Sequence, residues 1–169
     1  MTRPRIDHSE RAKPMIRLTN LADYAVVLMC EIANAPERVS AQGLSASTNI
    51  PVPTVSKILN ALGRGELLTS HRGLKGGFAL ARGVGDITVA DIIEAIDGPI
   101  ALTHCAEPED TSCGYTEICF MRPKWQVING AVRGALEQVT LAALITPMSG
   151  EELAAQFEAH ASGLAAAKN

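Results

Sequence analysis

Residues 40–80 narrow the possible folds more than any other part of the chain. Ser40 can cap a short helix in which Leu44 faces inward, and Asn49-Ile50-Pro51 ends it as a turn. Pro53, at a first-turn position that tolerates its missing N–H, then starts a second helix. Within it Val55, Ile58, Leu59 and Leu62 recur at three- and four-residue steps and predict a buried face, while Thr54, Ser56, Lys57 and Asn60 stay outward. Gly63 and Gly65 close this helix. Leu67-Leu68-Thr69-Ser70 reads as a strand, His71-Arg72-Gly73-Leu74-Lys75-Gly76-Gly77 as a glycine-rich basic turn, and Phe78-Ala79-Leu80 as the return strand. Two helices joined by a tight turn, the second with a polar outer face, predict a helix-turn-helix whose second helix enters the DNA major groove. The hairpin directly behind it predicts a wing. Arg72 and Lys75 can reach phosphate or the minor groove, and Gly73 lets backbone approach closely. Gly73 to Gly77 lacks the Lys-Ser/Thr ending of a nucleotide-phosphate loop and lies inside a hairpin, which argues against that chemistry.

The charge distribution agrees. Residues 51–82 carry Lys57, Arg64, Arg72, Lys75 and Arg82 against Glu66 alone, whereas the chain as a whole has a net charge of −3. A basic middle in an acidic chain points to a local nucleic-acid surface. Upstream, residues 1–14 are polar with two prolines and predict a disordered tail, Met15 being an alternative start. Residues 20–34 predict a helix capped by Asn20. Leu21, Ala25, Leu28, Met29 and Ile32 form one apolar stripe on it, and Val26, Cys30 and Ala33 a second, with Cys30 packing as a small hydrophobe. Thr88-Val89-Ala90-Asp91 starts another helix with a capping box, buried through Val89, Ile92, Ile93 and Ile96 and stopped by Asp97-Gly98-Pro99. Pro123 precedes a long helix expected over residues 124–145, with Trp125, Ile128, Val132, Leu136 and Val139 on one side. Gly130, Ala131, Gly134 and Ala135 allow another helix to approach closely. With little of its own chain to pack on, it is expected to be a dimerisation helix. The expected fold is thus mainly α with a small β-hairpin wing: a winged helix-turn-helix domain at 15–98, a cysteine loop at 99–122, a dimerisation helix at 123–146 and a tail from 147 to 169. No apolar run approaches a membrane span and no signal-peptide pattern occurs, so a cytoplasmic protein with reduced cysteines is expected. No paired nucleophile and base stands out, so an enzyme is not expected.

Three of the four cysteines, Cys105, Cys113 and Cys119, fall in one polar stretch spaced Cys-x7-Cys-x5-Cys. Their neighbours are Glu, Pro, Asp, Thr, Ser and Gly, which make loop rather than core. Three thiols on one loop can converge on a soft metal centre. An odd number would leave one thiol over in intramolecular disulfides. Zinc prefers close Cys-x2-Cys pairs, which are absent, and the wide spacing suits a larger iron–sulfur centre. A redox disulfide pair and incidental cysteines are the other readings. A zinc- or disulfide-stabilised protein-interaction module without a DNA role is the alternative for the chain as a whole.

Taken together, Met15-Ile16-Arg17-Leu18-Thr19-Asn20-Leu21-Ala22-Asp23-Tyr24-Ala25-Val26, Ile50 to Leu59, the wing Arg72 to Leu80 and the three cysteines resemble the IscR/NsrR/SufR type of bacterial winged-helix iron–sulfur regulators, over about residues 15–146. Within that type the chain looks most like the regulator of SUF iron–sulfur cluster assembly. The resemblance implies a homodimer bound to an operator in double-stranded DNA, repressing or otherwise regulating cluster-assembly genes; a nitric-oxide- or iron-responsive relative is the neighbouring possibility. It implies that Thr54, Ser56, Lys57, Arg72 and Gly73 lie at or near DNA, and the outward Asn60 and the wing's Lys75 join them as DNA-contact candidates. It also implies Cys105, Cys113 and Cys119 as cluster ligands, with a [2Fe–2S] centre favoured over [4Fe–4S]. Some members add a histidine three residues after the last cysteine, where this chain has Arg122. Others use a carboxylate from the first helix of the partner, matching Asp23, and His104 is a local candidate. The first cysteine gap is wider than in IscR-like members.

Overall fold

The computed structural model describes residues 17–73, 76–103, 106, 119–147 and 155. The expected tails at 1–14 and beyond Pro147, together with Lys75, His104, Cys105 and Cys113, lie outside these residues. The described chain runs α1 (Asn20–Asn34), α2 (Ala41–Thr48), α3 (Val52–Arg64), β1 (Leu68–His71), β2 (Gly77–Leu80), α4 (Val89–Asp97), α5 (Arg122–Glu137) and α6 (Leu141–Ile145).

The core forms where α1, α3 and α4 meet. Ala25, Leu28, Met29 and Ile32 of α1 pack with Val55, Ile58, Leu59 and Leu62 of α3, joined by Leu44, Leu67, Ile87, Ile92 and Leu141. Burying each large aliphatic side chain stabilises the fold by ~1.5–3 kcal/mol. Thr19, rather than Asn20, caps α1: its hydroxyl accepts the Ala22 N–H at 3.1 Å. The same hydroxyl donates to the Asp97 carboxylate at 2.9 Å, tying the start of α1 to the end of α4. Cys30 is a half-buried free thiol, and burial, then the charge of Glu31, pushes its pKa up. It packs against the core, as expected.

The turn between α2 and α3 uses a left-handed Asn49 (φ 59°), a conformation that Asn tolerates better than most residues. Ile50 then drops into the core. α3 begins at Val52 with Pro51 as its cap residue and Pro53 inside the first turn, slightly earlier than expected. It continues through Gly63 and ends at Gly65. A Cβ on Gly65 would come within 2.8 Å of the Ala95 Cβ on α4, so these helices touch closely there.

β1 and β2 pair antiparallel, with Leu68 opposite Leu80 and His71 opposite Gly77. Val39, just before α2, adds a bridge to Phe78: each N–H donates to the other's carbonyl, at 3.1 and 2.9 Å. The tip-side part of β2 is thereby tied to the segment that leads into α2, which sets where the hairpin points. Gly77 sits at φ 153°, and a Cβ there would lie 2.9 Å from the Val39 carbonyl oxygen.

The long helix differs from expectation. It stops at Glu137, and α6 restarts at Leu141 under a Thr140 cap whose hydroxyl accepts the Ala143 N–H. The break arises because residues 139–142 pair with the strand-like segment before and into α4. The Val89 N–H donates to Val139, Leu141 to Ile87 and Ala142 to Val84. This turns Leu141 into the core, completely buried. The apolar periodicity ran on through the break and hid it.

Gly77→Ala should destabilise the fold by about 1–3 kcal/mol, since the new methyl group meets backbone at an unfavourable φ. Urea midpoints of the two proteins measure this. Equal midpoints would contradict the Val39–Phe78 anchoring.

Candidate nucleic-acid interface and cysteine segment

α3 presents its outer face as predicted. Lys57 and Asn60 are exposed, Thr54 and Ser56 half-buried, and the four inward aliphatics buried. Thr54 and Ser56 lie near the start of this helix, the part of a recognition helix that meets base edges in winged-helix proteins. Beyond the wing's first strand Arg72 and Gly73 are exposed, and Gly73 adopts φ 108° at the tip. The Gly76 N–H closes the turn on the Gly73 carbonyl at 2.8 Å. A Cβ on Gly76 would lie 2.6 Å from the His71 carbonyl oxygen, so this turn requires glycine.

One feature of this face was missed from the sequence. A cleft of about 330 Å³ opens between α3 and the wing, lined in part by Asn60, Arg64 and Ser70. Arg64 is exposed there, one and two turns beyond Asn60 and Lys57 on the same helix face. That spacing from Lys57 was the available signal, obscured by treating Gly63 as the helix end. Lys57, Arg64 and Arg72 thus give α3 and the wing a common positive surface suited to a phosphate backbone.

The cysteine segment leaves α4 and re-enters at α5. Near its start, the Leu102 N–H donates to Asn129 Oδ1 at 3.0 Å, and Asn129 Nδ2 donates to the Ile100 carbonyl at 2.7 Å. Its far end runs directly into α5: Cys119 is a half-buried free thiol whose carbonyl accepts the Arg122 N–H at 3.2 Å. Asn129 lies about two turns along α5 from Arg122, roughly 10 Å of axis. Both ends of the segment are therefore held on one helix within a short distance of each other, a condition for thiols along it to converge. Arg122 Nε is buried and has no hydrogen-bond partner among the described residues. A cationic N–H left open close in sequence to Cys119 suits an anionic centre, so the donors present fit thiolate-bound metal. Among the described residues no three His, Cys, Asp or Glu side chains gather closely enough to hold a metal ion. Asp23 is exposed on the first turn of α1.

α5 is also fastened to α4. The Arg133 guanidinium donates to both Glu94 oxygens, from Nε at 2.8 Å and from an Nη at 3.1 Å, and also pairs with Glu137. The Ile100 N–H adds a long contact to Glu94 at 3.5 Å. The hydrogen bond from Arg133 holds the Glu94 carboxyl below the usual carboxylate range against a smaller opposing effect of burial, and the Arg133 pKa is raised in turn. Another side of α5 exposes apolar residues, Val127 at 74% and Ile128, and Phe120 just before the helix is 76% exposed.

A helix-turn-helix with an anchored hairpin behind it and a basic outer face defines the class: a winged-helix DNA-binding regulator. The chain belongs to the Rrf2 family, described as iron-dependent transcriptional regulators, which matches residues 18–147. A protein of Mycobacterium tuberculosis named as an HTH-type transcriptional regulator is 32% identical over 135 residues, covering 75% of this chain and 80% of its own. The transcriptional regulator IscR of an Enterobacter species is 25% identical over 147 residues, covering 86% and 89%. Among solved structures, CymR, the global cysteine regulator of B. subtilis, superposes with a TM-score of 0.61 at 24% identity, over 79% of this chain and 99% of that one. T. potens IscR does so with 0.59 at 22%, over 80% and 95%. These two share the fold. The chain is a DNA-binding transcriptional regulator, and the alternative of an interaction module without a DNA role falls away. No helix among the described residues is long and apolar enough to cross a membrane.

Arg72→Ala should weaken DNA binding and flatten the dependence of log affinity on log salt by about one counterion per wing contact. A salt titration measures it, and an unaltered slope would remove Arg72 from the interface. Because the Glu94 carboxyl has a depressed pKa when folded, its contribution is full above the unfolded value of about 4.3. It is lost as pH falls toward the folded value. The stability difference between wild type and Glu94→Gln should be about 0.5 kcal/mol near neutrality after solvent screening, and should shrink below about pH 4.3. Urea midpoints across that range test the sign.

Proposed function

We propose that this chain is a homodimeric regulator, acting chiefly as a repressor, whose affinity for a palindromic operator depends on an iron–sulfur cluster held by Cys105, Cys113 and Cys119. The observation that supports this reading best is the shared anchoring of both ends of the cysteine segment on α5, with the open Arg122 Nε close by. When bound, a [2Fe–2S] cluster would tie the three thiolates into one unit whose integrity depends on iron supply and oxidants. The partner subunit's Asp23 or the chain's own His104 would complete the ligand set.

Three features supply the remaining parts of the reading. The exposed Val127 and Ile128 on α5 and Phe120 just before it, with the small residues Gly130 and Gly134, form a face suited to a second copy of the same helix. Tyr24 and Val27 are exposed apolar residues on α1. Thr54, Ser56, Lys57, Asn60, Arg72, Gly73 and Lys75 would contact the duplex, the two recognition helices of the dimer addressing two half-sites about 34 Å apart. The family's description as iron-dependent supports an iron-linked signal; the resemblance in the sequence would make iron–sulfur cluster assembly genes the targets and the cytoplasm the place of action.

Cys113→Ala should abolish the visible absorbance of the anaerobically isolated protein while leaving its sedimentation that of the wild-type dimer. Retained absorbance would contradict the ligand assignment.

A further inference from the structure

We propose that Asn129, supported by the Glu94–Arg133 pair, is the positioning residue through which the cysteine segment acts on the DNA-reading body; this rests on the function proposed above.

Asn129 is the one polar or charged side chain buried among the described residues. Its two ends are used with opposite polarity, the oxygen accepting from Leu102 and the nitrogen donating to Ile100. It thus imitates one step of a β-ladder on the backbone that leads to Cys105. An aspartate cannot donate to the Ile100 carbonyl, and a leucine can neither donate nor accept. An asparagine in this place therefore fixes where the segment begins relative to α5, while Cys119 fixes where it ends.

From α5 the connection continues in contact. Four residues along, Arg133 grips Glu94 of α4 through two hydrogen bonds. The next residue of α4, Ala95, lies against Gly65 at the end of the recognition helix so closely that a Cβ there would sit 2.8 Å away. At its C-terminal end α4 receives the Thr19 hydroxyl on Asp97. A change in the segment's position thus bears on α5 at Asn129 and Arg122, on α4 at Glu94, and on α3 at Gly65, each through a contact between neighbouring elements. Any coupling carried this way is reciprocal: DNA that biases α3 must also bias Leu102.

The test uses the full-length protein and a duplex selected from random sequence by the wild type. DNA affinity is measured for protein isolated anaerobically with its iron and for the same protein stripped by a chelator. Amide exchange at Leu102 is followed in the stripped protein with and without that duplex. Asn129→Leu and Asn129→Asp are compared with Gln126→Ala, an exposed change on the same helix. The loaded-to-stripped affinity ratio should fall to within about twofold of one in both Asn129 variants and stay at the wild-type value in Gln126→Ala. Leu102 should lose its DNA-induced change in exchange in the same variants. The reversed pair Glu94→Arg with Arg133→Glu should recover part of the ratio lost by each single change. An Asn129→Asp protein with the wild-type ratio overturns the inference. A wild type whose two forms bind equally overturns the proposed function instead. In that event the Leu102 exchange decides the inference alone: a DNA-induced change that Asn129→Leu abolishes upholds the connection, and no such change in wild type ends it.

Discussion

The burial of Val55, Ile58, Leu59 and Leu62 against α1 is the interaction on which the other elements depend. These four residues hold one face of α3 in the core and leave the opposite face, with Lys57 and Asn60, exposed. The wing takes its place from the same body, because Val39 pairs with Phe78 immediately before α2 begins. α4 closes the core from the far side with Ile92 and Ile93. Recognition helix, wing and α4 therefore form one packed unit, and whatever is fastened to α4 is fastened indirectly to the DNA-reading face.

The cysteine segment is fastened in that way. It is polar and has little apolar surface to bury, so its position must come from its ends. Asn129 and the start of α5 hold those ends, and Arg133 secures α5 to Glu94. Val127 and Ile128 remain exposed on the outer face of α5. The same helix thus joins the cysteine segment, the body that reads DNA and the surface proposed for a second copy. A sensor needs such a junction, because occupancy of a remote site can alter DNA affinity only if the two states differ at the reading face.

Much of the DNA-reading unit was legible in the sequence. The inward set of α3 follows from a helical period, the Thr88–Asp91 capping box from residue types alone, and the wing from glycines between short apolar runs. The differences at Thr19 and Pro51 are shifts of one or two residues, where neighbouring polar or proline residues can each start a helix. The break after Glu137 was hidden for a different reason. Val132, Leu136 and Val139 keep the apolar period, while the pairing of residues 139–142 with residues 84–89 is a long-range contact that no local pattern reveals. Asn129 left a trace: it is a polar residue four positions after Trp125, at an inward place in an otherwise apolar series. The cysteine spacing was plain, and the means by which its segment is anchored was not, since Leu102 and Asn129 are distant in sequence.

The most direct test of the central claim is a count of iron, acid-labile sulfide and zinc in the protein isolated without exposure to air. The account predicts a coloured protein carrying iron and sulfide in equal amounts and no zinc. A colourless protein that holds zinc or no metal, and that takes up no iron and sulfide on reconstitution, would contradict it. The chain would then be a winged-helix regulator whose cysteine segment serves another purpose.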